Sequence, residues 1–181
     1  MASIVDLSPV FVDFEASGLA VDCFPVEVGW AYLDGGHVIS EGHLIRPGPD
    51  WDLESNWDET AEALHRISKE HLLANGEPAF MVANRMNEML AGKEVFADSP
   101  FDRQWMDQLF EAAGADPSFN MRTMLAPALV DQLCLSLGLY DSEILKISSV
   151  VNQRYPHTHR AAEDARQWAE LWNALKSSPF V

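Results

Sequence analysis

Residues 9–15 read PVFVDFE. This compact run of β-branched and aromatic residues is a strand signal. Side chains alternate between the two faces of a strand. Val10, Val12 and Phe14 therefore share one face, and Phe11, Asp13 and Glu15 share the other. Two carboxylates stand side by side at the end of a strand whose apolar content suits the middle of a sheet. Like charges this close repel, and one binds a proton unless a cation intervenes. The bland alternative is an exposed strand end with solvated acids.

Working outward, residues 26–33 and 38–46 read as two further strands, and Asp34-Gly35-Gly36 between them is a hairpin signal. A turn-rich loop, PGPDWDLESNWD, follows. Helical pattern runs over 58–74 with a break near Ser68, and again over 77–91 between Gly76 and Gly92. Residues 93–97 (KEVFA) are short and β-like. Ser99 as N-cap and Pro100 in the first turn open a helix that runs to Ala113, before Gly114. Residues 119–124 read as a fifth strand, 127–137 as a helix ending at Gly138, and 160–176 as the last helix. Three strands followed by alternating helix and strand predict an α/β fold, a mixed sheet of about five strands flanked by helices. No repeat, low-complexity tract or long linker divides the chain, so residues 1–181 are expected to form a single domain.

Two more acids occupy unusual positions. Asp102 is followed at three, four and seven residues by Trp105, Met106 and Leu109, so it lies on the apolar stripe of its helix. A first-turn Asp also complements the helix dipole. Asp164 sits in a similar stripe with Ala161, Trp168 and Leu171. A buried Asp needs a partner, and Arg103 or Arg154 would serve as a salt bridge. His159 precedes that helix on a loop and can face the same cleft as Asp164; His157 is its rival. An imidazole that titrates near neutrality suits proton abstraction from water. Four acids from three segments fit one oxygen-rich cage of the kind Mg²⁺ and Mn²⁺ prefer. Two such ions about 4 Å apart clamp the attacking and leaving oxygens of a phosphodiester.

Composition sets limits on partners. The net charge is −16, with only 12 Lys and Arg. That balance opposes tight, non-specific binding to long duplexes. Loaded cations reverse the field locally, and Arg103, Arg154, Arg160 and Arg166 lie near the acidic segments in sequence. The expected ligand is a short or single-stranded end. Cys23 and Cys134 are far apart without metal-ligand spacing, which suits free thiols in a reducing cytoplasm. The start, MASIVDLSPV, lacks the basic and apolar regions of a secretory signal, and no apolar run reaches membrane-spanning length.

The same residues resemble the DEDDh 3′→5′ exonucleases, a family that includes the proofreading epsilon subunit of bacterial DNA polymerase III and RNase T. Asp13-Phe-Glu15-Ala-Ser-Gly-Leu19 is similar to Asp-x-Glu-x-Thr/Ser-Gly-Leu. Residues 97–102 (ADSPFD) match the segment ending Phe-Asp, and 159–165 (HRAAEDA) match His-x-Ala-x-x-Asp-Ala. His65-Arg66-Ile67-Ser68 looks like the His-Gly-Ile-Thr/Ser segment between the first two. The resemblance implies a ribonuclease H-like fold and a single exonuclease domain. It implies that Asp13, Glu15, Asp102 and Asp164 hold two Mg²⁺ or Mn²⁺ ions and that His159 is the general base. It implies release of nucleoside 5′-monophosphates from the 3′ end of single-stranded DNA or RNA. Ala16, Ser17, Gly18 and Leu19, with His65, would hold the last nucleotide; the plainer reading of Leu19 is ordinary core. Several relatives are dimers, so a homodimer is compatible. Three positions depart from the pattern: Asp98 replaces the usual Asn, Arg66 a Gly, and Ser17 the commoner Thr. The competing readings are an interaction module with little activity and a hydrolase of dinucleotides or short oligonucleotides.

Overall fold

The computed structural model describes residues 3–178. A short 3₁₀ turn, Ile4–Asp6, leads into β1 (Val10–Ala16), β2 (Pro25–Asp34) and β3 (His37–Leu44). Helices α1 (Glu59–His65), α2 (Lys69–Asn75) and α3 (Ala79–Leu90) precede β4 (Glu94–Ala97) and α4 (Phe101–Ala113). Then come β5 (Asn120–Met121), α5 (Ala126–Leu137), α6 (Asp141–Arg154) and α7 (Ala161–Lys176).

The five strands form one mixed sheet in the order β3-β2-β1-β4-β5. β1 is central, as its apolar sequence requires: it pairs antiparallel with β2 and parallel with β4. Both of its faces are covered. Val10, Val12 and Phe14 pack with Val82 and Met86 of α3 and with Trp105 and Leu109 of α4. Phe11 packs on the opposite side with Leu129 and Leu133 of α5 and Trp172 of α7. Burial of such side chains is worth roughly 1.5–3 kcal/mol each, which makes these two layers the main source of stability. A third cluster, Phe24, Val26, Ile67 and Leu72, seats α1 and α2 at the end of β2.

Most predicted elements are present, with instructive differences. The break expected near Ser68 is present and divides 58–74 into two helices. Arg66 caps α1 in the left-handed region at φ 61, and the Ser68 hydroxyl accepts the His71 N–H to start α2. The 77–91 helix begins at Ala79, because Glu77 is drawn into a bridge with Ile45. The predicted fifth strand, 119–124, shrinks to Asn120–Met121. The cap at Ser99 moves by one residue: α4 is capped at Pro100, while the Ser99 hydroxyl still accepts the Phe101 N–H at 3.1 Å. Helix α6 had no counterpart in the sequence reading. Its apolar positions leave only Val151 buried, so its amphipathic signal is weak. Among the described residues, no helix is long and apolar enough to cross a membrane.

One row across the sheet positions everything that follows. Asp13 of β1 is paired with Gly29 of β2, and Gly29 with Gly42 of β3. The first turn of α7 lies directly on these glycines. A Cβ built on Gly29 would come within 2.1 Å of the Ala162 nitrogen, and one on Gly42 within 2.8 Å of the Ala162 Cβ. No side chain fits at Gly29, so the bare backbone lets α7 settle onto the sheet beside Asp13.

Candidate metal centre

Asp13 and Glu15 project from the carboxyl end of β1, on the α7 face. The parallel register pairs Val12 with Ala97, so Asp13 and Asp98 follow side by side as β1 and β4 leave their ladder. Asp102 arrives from the first turn of α4. Its Oδ2 accepts the Ser99 N–H at 3.0 Å, which fixes the carboxylate over the strand ends. Asp164 arrives from the first turn of α7, where Oδ1 accepts the Thr158 N–H at 2.8 Å.

The start of α7 is secured by a residue the motifs did not mark. Glu27, 5% exposed near the start of β2, accepts the Ala161 N–H at 2.9 Å. It also holds Arg160 through Nε and Nη2, the latter at 2.6 Å. A charged pair of this geometry is a strong tether, and Glu27 keeps Arg160 firmly protonated. The signal was available: a lone Glu between Val26 and Val28 on an inner strand needs a partner.

These elements gather ligand atoms into overlapping groups. Oxygens of Asp13, Glu15 and Asp164 all lie within 4.8 Å of one another, as do oxygens of Asp13, Asp98 and Asp102. Asp13 is common to both. A third group joins His157, His159 and Asp164 within the same limit. Asp13, Asp102 and Asp164 are each at most 6% exposed.

The electrostatics follow from crowding acids out of water. Burial first, then Asp102, Asp98 and other neighbouring acids, hold Asp13 well above the usual carboxylate range. Burial and the nearby Asp164 push Glu15 up to about 8. Burial and Asp98 do the same to Asp102, also to about 8. Burial raises Asp98, against a hydrogen bond from Trp168. None of the ion pairs among the described residues brings a Lys or Arg to Asp13, Glu15, Asp98 or Asp102.

The suggested salt bridge for Asp164 is therefore corrected. Arg103 turns to Asp107 and the Met121 carbonyl, and Arg154 lies over the Tyr155 ring. Asp164 instead has His157, whose Nδ1 is 3.1 Å from Oδ2. The contact makes no hydrogen bond, and Oδ2 stays buried without a hydrogen-bond donor, as does Asp13 Oδ2. Buried carboxylate oxygens without donors are costly in a protein interior. Oxygen-rich donors with unsatisfied charge fit Mg²⁺ or Mn²⁺, and the residues present fit such ions.

The histidines are held together, with ring centroids 4.4 Å apart and edge to face. His159 sits in the left-handed region at φ 55, half-buried, on the loop just before α7. His157 is the one that touches Asp164, which spacing alone did not indicate.

Leu19 is 72% exposed and not core. Leu64 and Phe101 are also exposed, and all three border a cavity of about 290 Å³ that contains Asp13, Glu15 and Asp102. Ala16, Gly18 and His65 line the same cavity. His65 is buried, its Nδ1 accepts the Ile67 N–H at 3.0 Å, and burial lowers its pKa. Ser17 does not line the cavity. It is fully buried, and its hydroxyl accepts the Phe24 N–H at 3.0 Å, so it shapes the loop from within. A larger cleft of about 610 Å³ near Trp51 and Phe80 shares no residue with this cavity. Arg160 and Arg166, paired with Glu27 and Glu170, are likewise committed within the chain.

Comparison with solved structures supports the architecture. The chain is similar to E. coli Exonuclease I in complex with a dA16 oligonucleotide, with a TM-score of 0.68 and 16% identity over 96% of this chain and 41% of that one. It is similar to the zinc-bound E. coli ExoI–ssDNA complex, with a TM-score of 0.64 and 16% identity over 90% of this chain and 39% of that one. A further exonuclease I structure matches at a TM-score of 0.68 and 17% identity, over 96% and 42% of the two chains. The chain thus spans about two-fifths of the length of the exonuclease I chains it matches. No family model and no curated protein sequence matches it. The fold is ribonuclease H-like α/β, as the sequence motifs implied.

Proposed function

We propose that the chain is a metal-dependent 3′→5′ exonuclease that hydrolyses terminal phosphodiesters of single-stranded DNA or RNA to nucleoside 5′-monophosphates. The observation that carries this reading is the buried Asp13 carboxylate shared by two oxygen-rich groups. Asp13, Glu15, Asp102 and Asp164 hold the ions in this scheme. Two bound cations about 4 Å apart would stabilise the attacking and leaving oxygens of the scissile bond. His159 accepts the proton of the attacking water; its ring lies edge to face with His157, and a ring nitrogen lies within 4.8 Å of an Asp164 oxygen. Leu19, flanked by Leu64 and Phe101, packs on the terminal base, and the Ala16–Gly18 backbone and His65 border the sugar.

Two of the similar exonuclease I structures are complexes with single-stranded DNA or an oligonucleotide, which supports a strand end as substrate. The acidic surface and internally paired arginines favour a short contact with few phosphates. The same observation favours, as a second reading, a preference for dinucleotides and short oligonucleotides.

The test is incubation of the purified chain with 5′-labelled single-stranded DNA, RNA and dinucleotides in Mn²⁺. Stepwise shortening from the 3′ end, lost in Asp13→Ala, is expected. No shortening of any substrate, or equal products from Asp13→Ala, would leave the interaction-module reading in its place.

A further inference from the structure

Resting on that reading, we infer that Asp98 is itself a ligand, completing with Asp13 and Asp102 a second divalent-cation position beside that of Asp13, Glu15 and Asp164. The usual Asn at this place offers a neutral amide. A carboxylate offers a full charge and two oxygens.

The backbone dictates the geometry. β1 and β4 run parallel with Val12 opposite Ala97, so the next residue of each strand carries its carboxylate to the same face. An oxygen of Asp98 lies within 4.8 Å of oxygens of both Asp13 and Asp102. Asp98 is half-buried; it accepts a long hydrogen bond from Trp168 Nε1 at 3.4 Å and shares a hydrogen bond with the neighbouring Asp102 carboxyl. A second, independent feature points to a ligand: Asp13 is 94% buried by its 6% exposure, and its Oδ2 has no hydrogen-bond partner. Surface acids would not explain a buried, unpartnered oxygen. A hard cation that takes carboxylate oxygens, Mg²⁺ or Mn²⁺, would satisfy it and offset the three charges together. Asp98 would then strengthen cation retention on an otherwise acidic molecule. Its charge would be spent on the ion and no longer repel the substrate's phosphates.

The experiment is Mn²⁺ titration of chelator-treated protein, followed by electron paramagnetic resonance, with and without thymidine 5′-monophosphate. Wild type is expected to take up two ions per chain and show the coupling of a close pair. Asp98→Asn should keep one ion at wild-type affinity and bind the second at least about tenfold more weakly. Its melting temperature in chelator should not fall, because the change relieves repulsion in the cage. An Asp98→Asn chain that binds both ions like wild type overturns the assignment of Asp98 and leaves the exonuclease reading intact. A wild-type chain that binds a single ion even with the nucleotide present overturns the assignment of Asp98 together with the two-cation scheme. A wild-type chain that takes up no Mn²⁺ overturns both.

Discussion

Two histidines on one loop stand beside Asp164 and line the same cavity. His157 Nδ1 is 3.1 Å from Asp164 Oδ2, and a His159 ring nitrogen lies within 4.8 Å of an Asp164 oxygen. His159→Ala should reduce turnover by about 10²–10⁴-fold, the usual worth of a general base, with Mn²⁺ uptake preserved. His157→Ala should be milder in turnover. A larger rate loss for His157→Ala than for His159→Ala would exchange their roles. Asp13, Glu15, Asp102 and Asp164 stood out in the sequence as carboxylates on apolar stripes or at the end of a central strand; His159 stood out by its place before the last helix, and Asp98 only as a departure from the family pattern. The role of Ser17 was not legible. Its hydroxyl meets Phe24, seven residues away, and a loop of that shape leaves no periodic trace.

At the scale of elements, the seat of α7 decides whether a site exists. Strand identity, the hairpin and the helix carrying Asp164 follow from alternation, turn residues and the 3.6-residue stripe. Their mutual placement does not. It depends on Gly29, Gly42 and Glu27, whose partners lie more than a hundred positions away in α7. Gly29→Ala would force its Cβ against α7 backbone. It should cost about 1–3 kcal/mol or more by overpacking, and displace Asp164 from Asp13. Gly48→Ala, where the added methyl meets open space, should be close to neutral. Urea unfolding of the two variants measures the difference. Equal stability would mean α7 is not held by this contact. Helix α6 escaped notice because it rests on the rest of the fold through few buried positions.

For the whole molecule, the cage links stability to protons and to cations. Glu15 and Asp102 titrate near 8 in the folded chain, against ordinary values of 4.5 and 3.8. Between these limits the folded state binds more protons than the unfolded state. Stability therefore falls as pH rises through that window. His65 works the other way, since its lowered pKa adds stability as pH rises through 6.5. Above about pH 7 that opposing contribution is nearly complete, and the carboxylates dominate. In chelator, the melting temperature should drop between about pH 7 and pH 8 and level off above that, by about 2–4 °C for each kcal/mol lost. Saturating Mn²⁺ should raise it, and more at the higher pH, because a cation replaces the protons. A melting temperature in chelator that does not fall across this range would show that the acids are not coupled as the geometry requires.

The dependence on α7 also has a meaning in time. Synthesis proceeds from β1 onward, so Asp13, Glu15, Asp98 and Asp102 leave the ribosome well before Asp164 is made. An emerging chain can pair β1 with β2 and β4, yet its glycine row stays bare until α7 docks. A growing polypeptide therefore passes close to its own messenger RNA with the cage open on one side. On the proposed function, the capacity to hydrolyse nucleic acid would be completed only when α7 brings Asp164 to the cage.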